Sequence, residues 1–452
     1  MKTLNRPTPT KAPDLSQAPT WLREWKPEDP EFLSGGGQKI ATKTLVVTTF
    51  CLLLAFATWF MVSAIVVRLG AVGFNLAPSQ LFWLTAMPGL AAGTLRIVHT
   101  FLIPIFGTRH TVTFSTLLLV IPCIGWGIAV QNPATPFWVL MMLAFLAGLG
   151  GGNFSSFMPS TSLFFPKKKL GTALGIQAGV GNFGVSVAQF LVPWIIGFAL
   201  LGSLLGGGQT MTKNGQSTEV FLQNAAYVWI PFVILGAVLA WTNLRSVPVK
   251  ASFREQTDIF RNKHTWLMTS LYIMTFGSFS GLAAAFPVLI KNLYGGFAGA
   301  PDPLAYAFLG PLVGAAIRAA FGPISDKIGG AKVTMISAVG MIGCAIAVSQ
   351  FTNPTSLAQF PGFVWSMLGL FLFSGIGNAS TFKQMPMIFE KRQASGVIGW
   401  TSAIAAYGPF IVSVILAGSS PTLFFRGAVV FYAMNLLINW WFYARKGAEK
   451  PC

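Results

Sequence analysis

The chain alternates between long apolar runs and short polar breaks. A run of about 20 apolar residues spans the core of a bilayer as a helix. Twelve such runs can be read, near 44–68, 79–103, 112–131, 136–164, 170–200, 226–245, 265–292, 304–323, 332–351, 362–389, 395–418 and 422–443. The pattern predicts an all-α integral membrane protein with twelve transmembrane helices. Residues 1–43 are Pro-rich and charged and read as a loosely ordered tail. Segment 202–218 is Gly-rich and polar, a hairpin loop. The predicted organisation is a tail at 1–43, a six-helix bundle at 44–245, an amphipathic surface linker at 246–263, a second six-helix bundle at 264–443 and a tail at 444–452.

The two bundles read as copies. Gly148 to Gly184 is an apolar, small-residue run that ends in Pro166-Lys167-Lys168-Lys169 and restarts with glycines at 171, 175, 179, 181 and 184. A related text runs from Gly375 to Gly408. Phe165 aligns with Phe389, Gly175 with Gly399, Phe183 with Tyr407 and Gly184 with Gly408, each 224 residues apart; Asn153 aligns with Asn378 at 225. Glycines along one helix let another approach backbone to backbone. Function is expected where the two halves meet.

Composition changes the picture in three ways. Charged residues make up 9% of the chain against 53% hydrophobic, and mean hydropathy is +0.64. A soluble domain carries about 25% charge, so lipid is the expected solvent. The net charge of +18 would suggest nucleic acid in a soluble protein. Here the basic residues sit mostly in short loops, where the positive-inside rule accounts for them. The four cysteines are scattered and form neither a disulfide framework nor a metal motif. No cleavable signal peptide is read at the N-terminus.

Topology follows from Lys and Arg. Arg109, Lys167–Lys169, segment 245–263, Lys327, Lys332, Lys391, Arg392 and the tail from Arg445 to Lys450 fall on one side. The other side holds little beyond Arg68, Lys213, Lys291 and Arg426. Both termini are therefore expected in the cytoplasm. Twelve spans in two repeats, with a longer inner linker, resemble the major facilitator superfamily. The loop after span 8, Gly322-Pro-Ile-Ser-Asp326-Lys327-Ile-Gly329-Gly-Ala-Lys332, resembles that superfamily's signature loop. The resemblance implies that Asp326 helps to hold the inward gate shut. In the first half the equivalent place reads Pro104-Ile-Phe-Gly107-Thr-Arg109-His110, with Pro for Asp, so the gate is expected to be asymmetric.

Two arginines interrupt apolar spans, Arg96 and Arg318, 222 residues apart and so at matching places in the repeat. An arginine near the bilayer centre costs on the order of 3 kcal/mol or more. No acid shares either span at helical spacing. The bland reading is that each snorkels or pairs with backbone carbonyls. The symmetric placement amid small residues favours a functional pair instead. Two unpaired guanidiniums facing one cavity would bind a small anion, and the planar fork of Arg matches a planar oxyanion. With no carboxylate well inside any span, such a cavity would resist closing empty, which favours exchange of one anion for another. His99 is the intramembrane candidate for a proton relay, against the commoner reading of a satisfied interior residue. Lys383 is read as snorkelling to the inner surface. No nucleophile–base pair, metal cluster or phosphate loop appears, so neither an enzyme nor a cofactor is expected.

The chain as a whole resembles the nitrate/nitrite porters of the major facilitator superfamily. The resemblance rests on EWKPEDPEFLSGGGQKIATKTL, CLLLAFATWF, the two Arg helices, GNFSSFMPSTSLFFPKKKLGTALG and the glycine-rich helices 171–184 and 396–408. It implies Arg96 and Arg318 as the anion-binding pair, with Asn182 as a polar contact and Tyr272 as a hydroxyl donor. It also implies Phe56, Phe154 and Phe276 as walls, and Gly175 and Gly399 as the positions where helices slide. It implies exchange of external nitrate for internal nitrite across a bacterial inner membrane, by a chain working as a monomer. Gln177 and Ala178 depart from the Asn and Gly usual there, and a charged insertion between spans 10 and 11 is absent. Nitrate–proton symport and a non-transporting nitrate sensor are the alternatives.

Overall fold

The computed structural model describes residues 19–200, 202–213, 216–247 and 257–452. Nearly all of them are helical. Eleven helical stretches are long and apolar enough to cross a membrane, and one of these holds two spans. The stretch Pro78–Ala129 breaks at Gly107, whose φ of +72° and ψ of 169° are not helical. Glycine adopts positive φ without a Cβ clash, and a Cβ here would meet the Ser246 side chain and the Trp21 ring. The predicted loop after span 2 is thus a single-residue break. We number the spans α1 (Gln38–Leu69), α2 (78–106), α3 (108–129), α4 (Phe137–Ser162), α5 (Lys167–Ile195), α6 (Asn224–Asn243), α7 (Lys263–Tyr294), α8 (Pro303–Ser325), α9 (Gly330–Gln350), α10 (Leu357–Ile388), α11 (Gly396–Gly418) and α12 (Pro421–Ala444).

α1 and α7 are buried along nearly their whole length and form the centre of the molecule. α3, α6, α9 and α12 turn apolar faces outward, among them Phe114, Ile128, Phe232, Val238, Val339, Val430 and Leu437. An apolar outer surface over an equally apolar interior suits a lipid solvent. Between α5 and α6, β1 (Gln209–Lys213) and β2 (Gln216–Val220) form an antiparallel hairpin with Gln209 opposite Val220. The expected polar hairpin loop is therefore a small two-stranded sheet.

Successive helices alternate direction. The ends of α1, α3, α5, α7, α9 and α11 define one face, here the Arg68 face. The described N-terminal segment from residue 19, the C-terminal Cys452 and the Lys167 loop lie on the opposite face, the Lys167 face. The N-terminal segment is more ordered than its composition suggested. Leu22 N–H donates to Ser246 O at 2.8 Å, Ser246 N–H donates to Thr20 O at 2.8 Å, and Glu28 accepts from Lys167 N–H at 3.0 Å. Trp25 packs on Phe164, ring centroids 4.9 Å apart. Helix begins at Pro30, before the predicted start at 44. The segment is a strap across the Lys167 face of the first half. The C-terminus does the same for the second half. Cys452 O accepts from Ala331 N–H at 3.1 Å, and Glu449 pairs with Lys263 at 2.7 Å and meets His264 at 3.2 Å. Much of the predicted linker, residues 248–256, lies outside the described residues.

Glycines set the closest helix contacts. A Cβ at Gly184 would collide with Leu53 O on α1, and a Cβ at Gly408 with Gly277 O on α7. These two positions are equivalent in the repeat, so α5 and α11 press against the central helices in matching ways. Gly175 and Gly399, expected to mark helix sliding, face open space, with no atom within 4 Å of the point a Cβ would occupy.

Two outcomes follow from this packing. Gly184→Ala or Gly408→Ala should destabilise the fold by about 1–3 kcal/mol through overpacking, whereas Gly175→Ala and Gly399→Ala should hold or raise the melting temperature, by up to about 1 kcal/mol of helix propensity. Thermal unfolding in detergent distinguishes the pairs. The hydrogen bond from Lys263 holds the Glu449 carboxyl below its usual value of 4.5, with His264 adding to the effect. A depressed folded pKa gives a contribution that is complete above the unfolded value and lost as pH falls through the folded one. Protection factors of the amides at residues 445–452, taken relative to the intrinsic exchange rate at each pH, should therefore fall when pH drops below 4.5.

Candidate functional site

Arg96 is fully buried on α2. Its position depends on the short helical turn Leu149–Gly152 of α4, which is set off by breaks at Gly148 and Asn153 and contains Gly150, Gly151 and Gly152. At Gly151 a Cβ would strike Ala92 and crowd Trp59, so the bare backbone lets α4 lie against α2. Arg96 Nε then donates to Gly151 O at 2.9 Å, and one Nη donates to Ser402 O on α11 at 2.7 Å. The second contact crosses from the first half to the second. The remaining nitrogen, Nη2, is buried without a hydrogen-bond partner. Pairing with backbone carbonyls is thus part of the answer for Arg96, and it leaves one fork arm unused.

Arg318 on α8 is 7% exposed and its Nη1 is likewise buried and unpartnered. Among the described residues neither arginine pairs with a carboxylate. Aromatic faces surround both. The Arg96 guanidinium carbon lies 4.6 Å from the Phe154 ring centroid, 5.3 Å from Phe276 and 5.8 Å from Trp59. That of Arg318 lies 5.3 Å from Phe382 on α10. The rings form a continuous bridge: Phe276 stacks on Tyr272 at 5.4 Å, and Tyr272 meets Phe382 at 5.2 Å. A cation over an aromatic face gains roughly 0.5–2 kcal/mol, which offsets part of its desolvation without neutralising it.

The stacking of Tyr272 on Phe276 comes from α7 itself. Residues Ile273–Gly277 form a π-helical turn. Such bulges sit mostly at functional sites, because the extra residue re-aims side chains. Tyr272 lies near enough to both guanidiniums to interact with them electrostatically, and its buried hydroxyl has no hydrogen-bond partner of good geometry. Asn182 on α5 is fully buried with both side-chain polar atoms unpaired, and Phe56 packs edge-on to Phe154 at 6.3 Å. Every sequence-predicted lining residue is buried, and the arginine–aromatic bridge joins Arg96, Arg318, Tyr272, Phe154 and Phe276, with Phe56 against Phe154.

A buried polar group left without a partner costs roughly 1–3 kcal/mol. Arg96 Nη2, Arg318 Nη1, the Tyr272 hydroxyl and the Asn182 amide are all such groups. All four can donate a hydrogen bond, and two belong to cations. The arrangement therefore suits a small acceptor-rich anion and repels a cation. His99 is less free: Nδ1 lies 2.8 Å from Ser156 Oγ, as expected of a satisfied interior histidine. Lys383 is exposed, in keeping with its reading as a snorkelling residue. Asp326 lies in the helix that continues α8 to Ile328 rather than in a loop, and its side chain lies outside the described residues.

Four further residues were not anticipated. Phe382 carries Arg318, Trp59 flanks Arg96, Ser402 supplies a carbonyl, and Asn378 is fully buried with both polar atoms unpaired. For Phe382 the repeat held the signal. The register that aligns Asn153 with Asn378 also aligns Phe157 with Phe382. Gln177, one of the two departures, donates to Thr48 Oγ1 and to Phe157 O, both at 3.0 Å, and so ties α5 to α1 and α4.

The chain matches known proteins over most of its length. The signature of the Major Facilitator Superfamily covers residues 48–413. A relative in Thermus thermophilus, described as a probable nitrate/nitrite antiporter, NarK2, is 65% identical over 96% of this chain and 98% of its own. The Escherichia coli nitrate/nitrite transporter NarU is 37% identical over 94% of this chain and 96% of its own. A solved structure of a bacterial homolog of the human lysosomal transporter Spinster, inward-facing and unoccupied, superposes with a TM-score of 0.65 at 14% identity, over 88% of this chain and 96% of that one. That likeness concerns the fold alone. The chain belongs to the major facilitator superfamily and, within it, to the nitrate/nitrite porter family, whose members are multi-pass membrane transporters rather than enzymes.

Proposed function

We propose that the chain exchanges nitrate for nitrite by alternating access, with the anion held between Arg96 and Arg318. The observation that carries this reading is the pair itself. Two buried guanidiniums come from different halves, each keeps an unpaired N–H, and aromatic rings rather than carboxylates surround them. The names of the close relatives supply the anion. Nitrate is flat, with its charge spread over three oxygens. It can accept from both forks in plane while Phe154 and Phe276 cover its faces and keep water out. Tyr272 and Asn182 would donate to the remaining oxygen.

Alternation follows from electrostatics. Without an anion, closing the site brings two like charges together in a dry space, where their repulsion is weakly screened. A bound anion removes that barrier, so each swing carries cargo. His99 is engaged with Ser156, and no carboxylate accompanies the arginines among the described residues, which supports exchange over proton symport. The basic loops on the Lys167 face put that face in the cytoplasm by the positive-inside rule. Both termini, at the ends of the six-helix units 44–245 and 264–443, would then be cytoplasmic, and the membrane a bacterial inner membrane. Asp326 would act as an inner gate on that face, and Gly175 and Gly399 would give room for the halves to close there. One chain contains both arginines, so a monomer suffices.

Arg96→Lys and Arg318→Lys should each reduce nitrate uptake in proteoliposomes by about 10- to 100-fold, the equivalent of one to two charged hydrogen bonds, with normal folded yield. Uptake near the wild-type rate would make the pair structural. Nitrite loaded inside should accelerate nitrate entry, and a pH gradient without nitrite should not. Dependence on the pH gradient instead would establish symport.

A further inference from the structure

The two halves do not touch evenly. On the Lys167 face, Gly171, Gly175, Gly322 and Gly399 have no atom within 4 Å of a Cβ position, and Ile176 is exposed. On the Arg68 face the halves are joined by a stack of polar contacts. Outermost, Arg68 at the end of α1 donates to both oxygens of Asp302, at 2.8 and 2.6 Å. Asp302 also caps α8 by accepting from Leu304 N–H at 3.0 Å. Lys291 on α7 reaches the same place, with Nζ 3.4 Å from a Cβ position on Gly70. Deeper, Gln189 on α5 donates to Ser63 Oγ at 3.0 Å and to Ala283 O on α7 at 2.9 Å. Thr85 on α2 donates to Ser413 Oγ on α11 at 3.1 Å. Phe190 packs on Phe308, ring centroids 5.1 Å apart.

Gln189 and Ser413 are 224 residues apart, the offset of the repeat. Each lies on the glycine-rich helix of its half, and each hydrogen-bonds to the opposite half. We propose that these contacts form a latch on the Arg68 face: Arg68–Asp302 as its outer bolt, with Gln189 and Ser413 as a repeat-related pair beneath. The bolt belongs to the state in which the site communicates with the Lys167 face, and it must part before the site can open to the Arg68 face. Its strength comes from position. Arg68 is 7% exposed and grips both carboxylate oxygens, so the ion pair is bidentate in a half-buried setting where water screens it weakly. The latch rests on the alternating-access reading, but it concerns the balance of two conformations and not the anion.

The test measures conformation without any anion. Spin labels at Asn75→Cys and Ala298→Cys report the Arg68 face, and a second pair at Lys168→Cys and Lys327→Cys reports the Lys167 face, with Cys344 and Cys452 replaced by Ser. Asp302→Asn removes the charge and keeps a good N-cap residue. It should shift the ratio of the two states about tenfold, lengthening distances on the Arg68 face and shortening them on the Lys167 face. Arg68→Gln should do the same and serves if Asp302→Asn folds poorly. Gln189→Leu should add to the shift, and Glu219→Gln on the hairpin should produce none. Distance distributions of Asp302→Asn and Arg68→Gln that match the wild type at both faces would overturn the latch. Because no anion is present, that result would leave the nitrate reading to its own assays.

Discussion

The structure depends on keeping two guanidinium groups charged where, among the described residues, no acid pairs with them. Burial of one arginine costs on the order of 3 kcal/mol or more, and this chain places two in its centre. The surrounding residues recover part of that cost in ways that leave the charge intact. Arg96 uses two backbone carbonyls, one from each half, and three aromatic faces. The Gly151 carbonyl comes within reach because a bare glycine lets α4 lie directly against α2. A carboxylate would have stabilised the same charges more fully and neutralised them. The residual deficit is spread over the unpaired donors.

That constraint explains features of the fold that otherwise look unrelated. The π-helical turn in α7 brings Tyr272 and Phe276 into a stack that connects the two arginines. Matching glycines, Gly184 and Gly408, bring α5 and α11 against α1 and α7 so that the site is walled on both sides. Each chain end crosses the Lys167 face of its own half and binds several helix ends together. Each half is thereby braced internally, while among the described residues the polar contacts named between halves lie on the Arg68 face and in the arginine layer.

Much of this was legible in the sequence. Twelve apolar runs, the repeat and the two arginines could be read directly, and resemblance supplied Tyr272, Asn182 and the three phenylalanines. For the glycines the text shows only small size. Which of them touches another helix depends on helix rotation: Gly184 and Gly408 do, and Gly175 and Gly399 face open space. Trp59 and Ser402 were missed because a tryptophan in an apolar run and a backbone carbonyl carry no distinguishing pattern. Residues 19–29 looked like a disordered tail by composition, since a few anchoring contacts, Leu22 to Ser246 and Glu28 to Lys167, do not alter average polarity.

By itself, the sequence determined the solvent, the number of spans, the duplication and the kind of charge at the centre. Those properties follow from local hydropathy and from spacing along the chain. Tertiary structure decided which donors remain unpaired, which rings face the arginines and on which face the halves meet. Those properties arise from pairs of residues tens to hundreds of positions apart, such as Arg96 with Ser402 or Arg68 with Asp302. Their proximity is created by helix packing, and no local pattern encodes it.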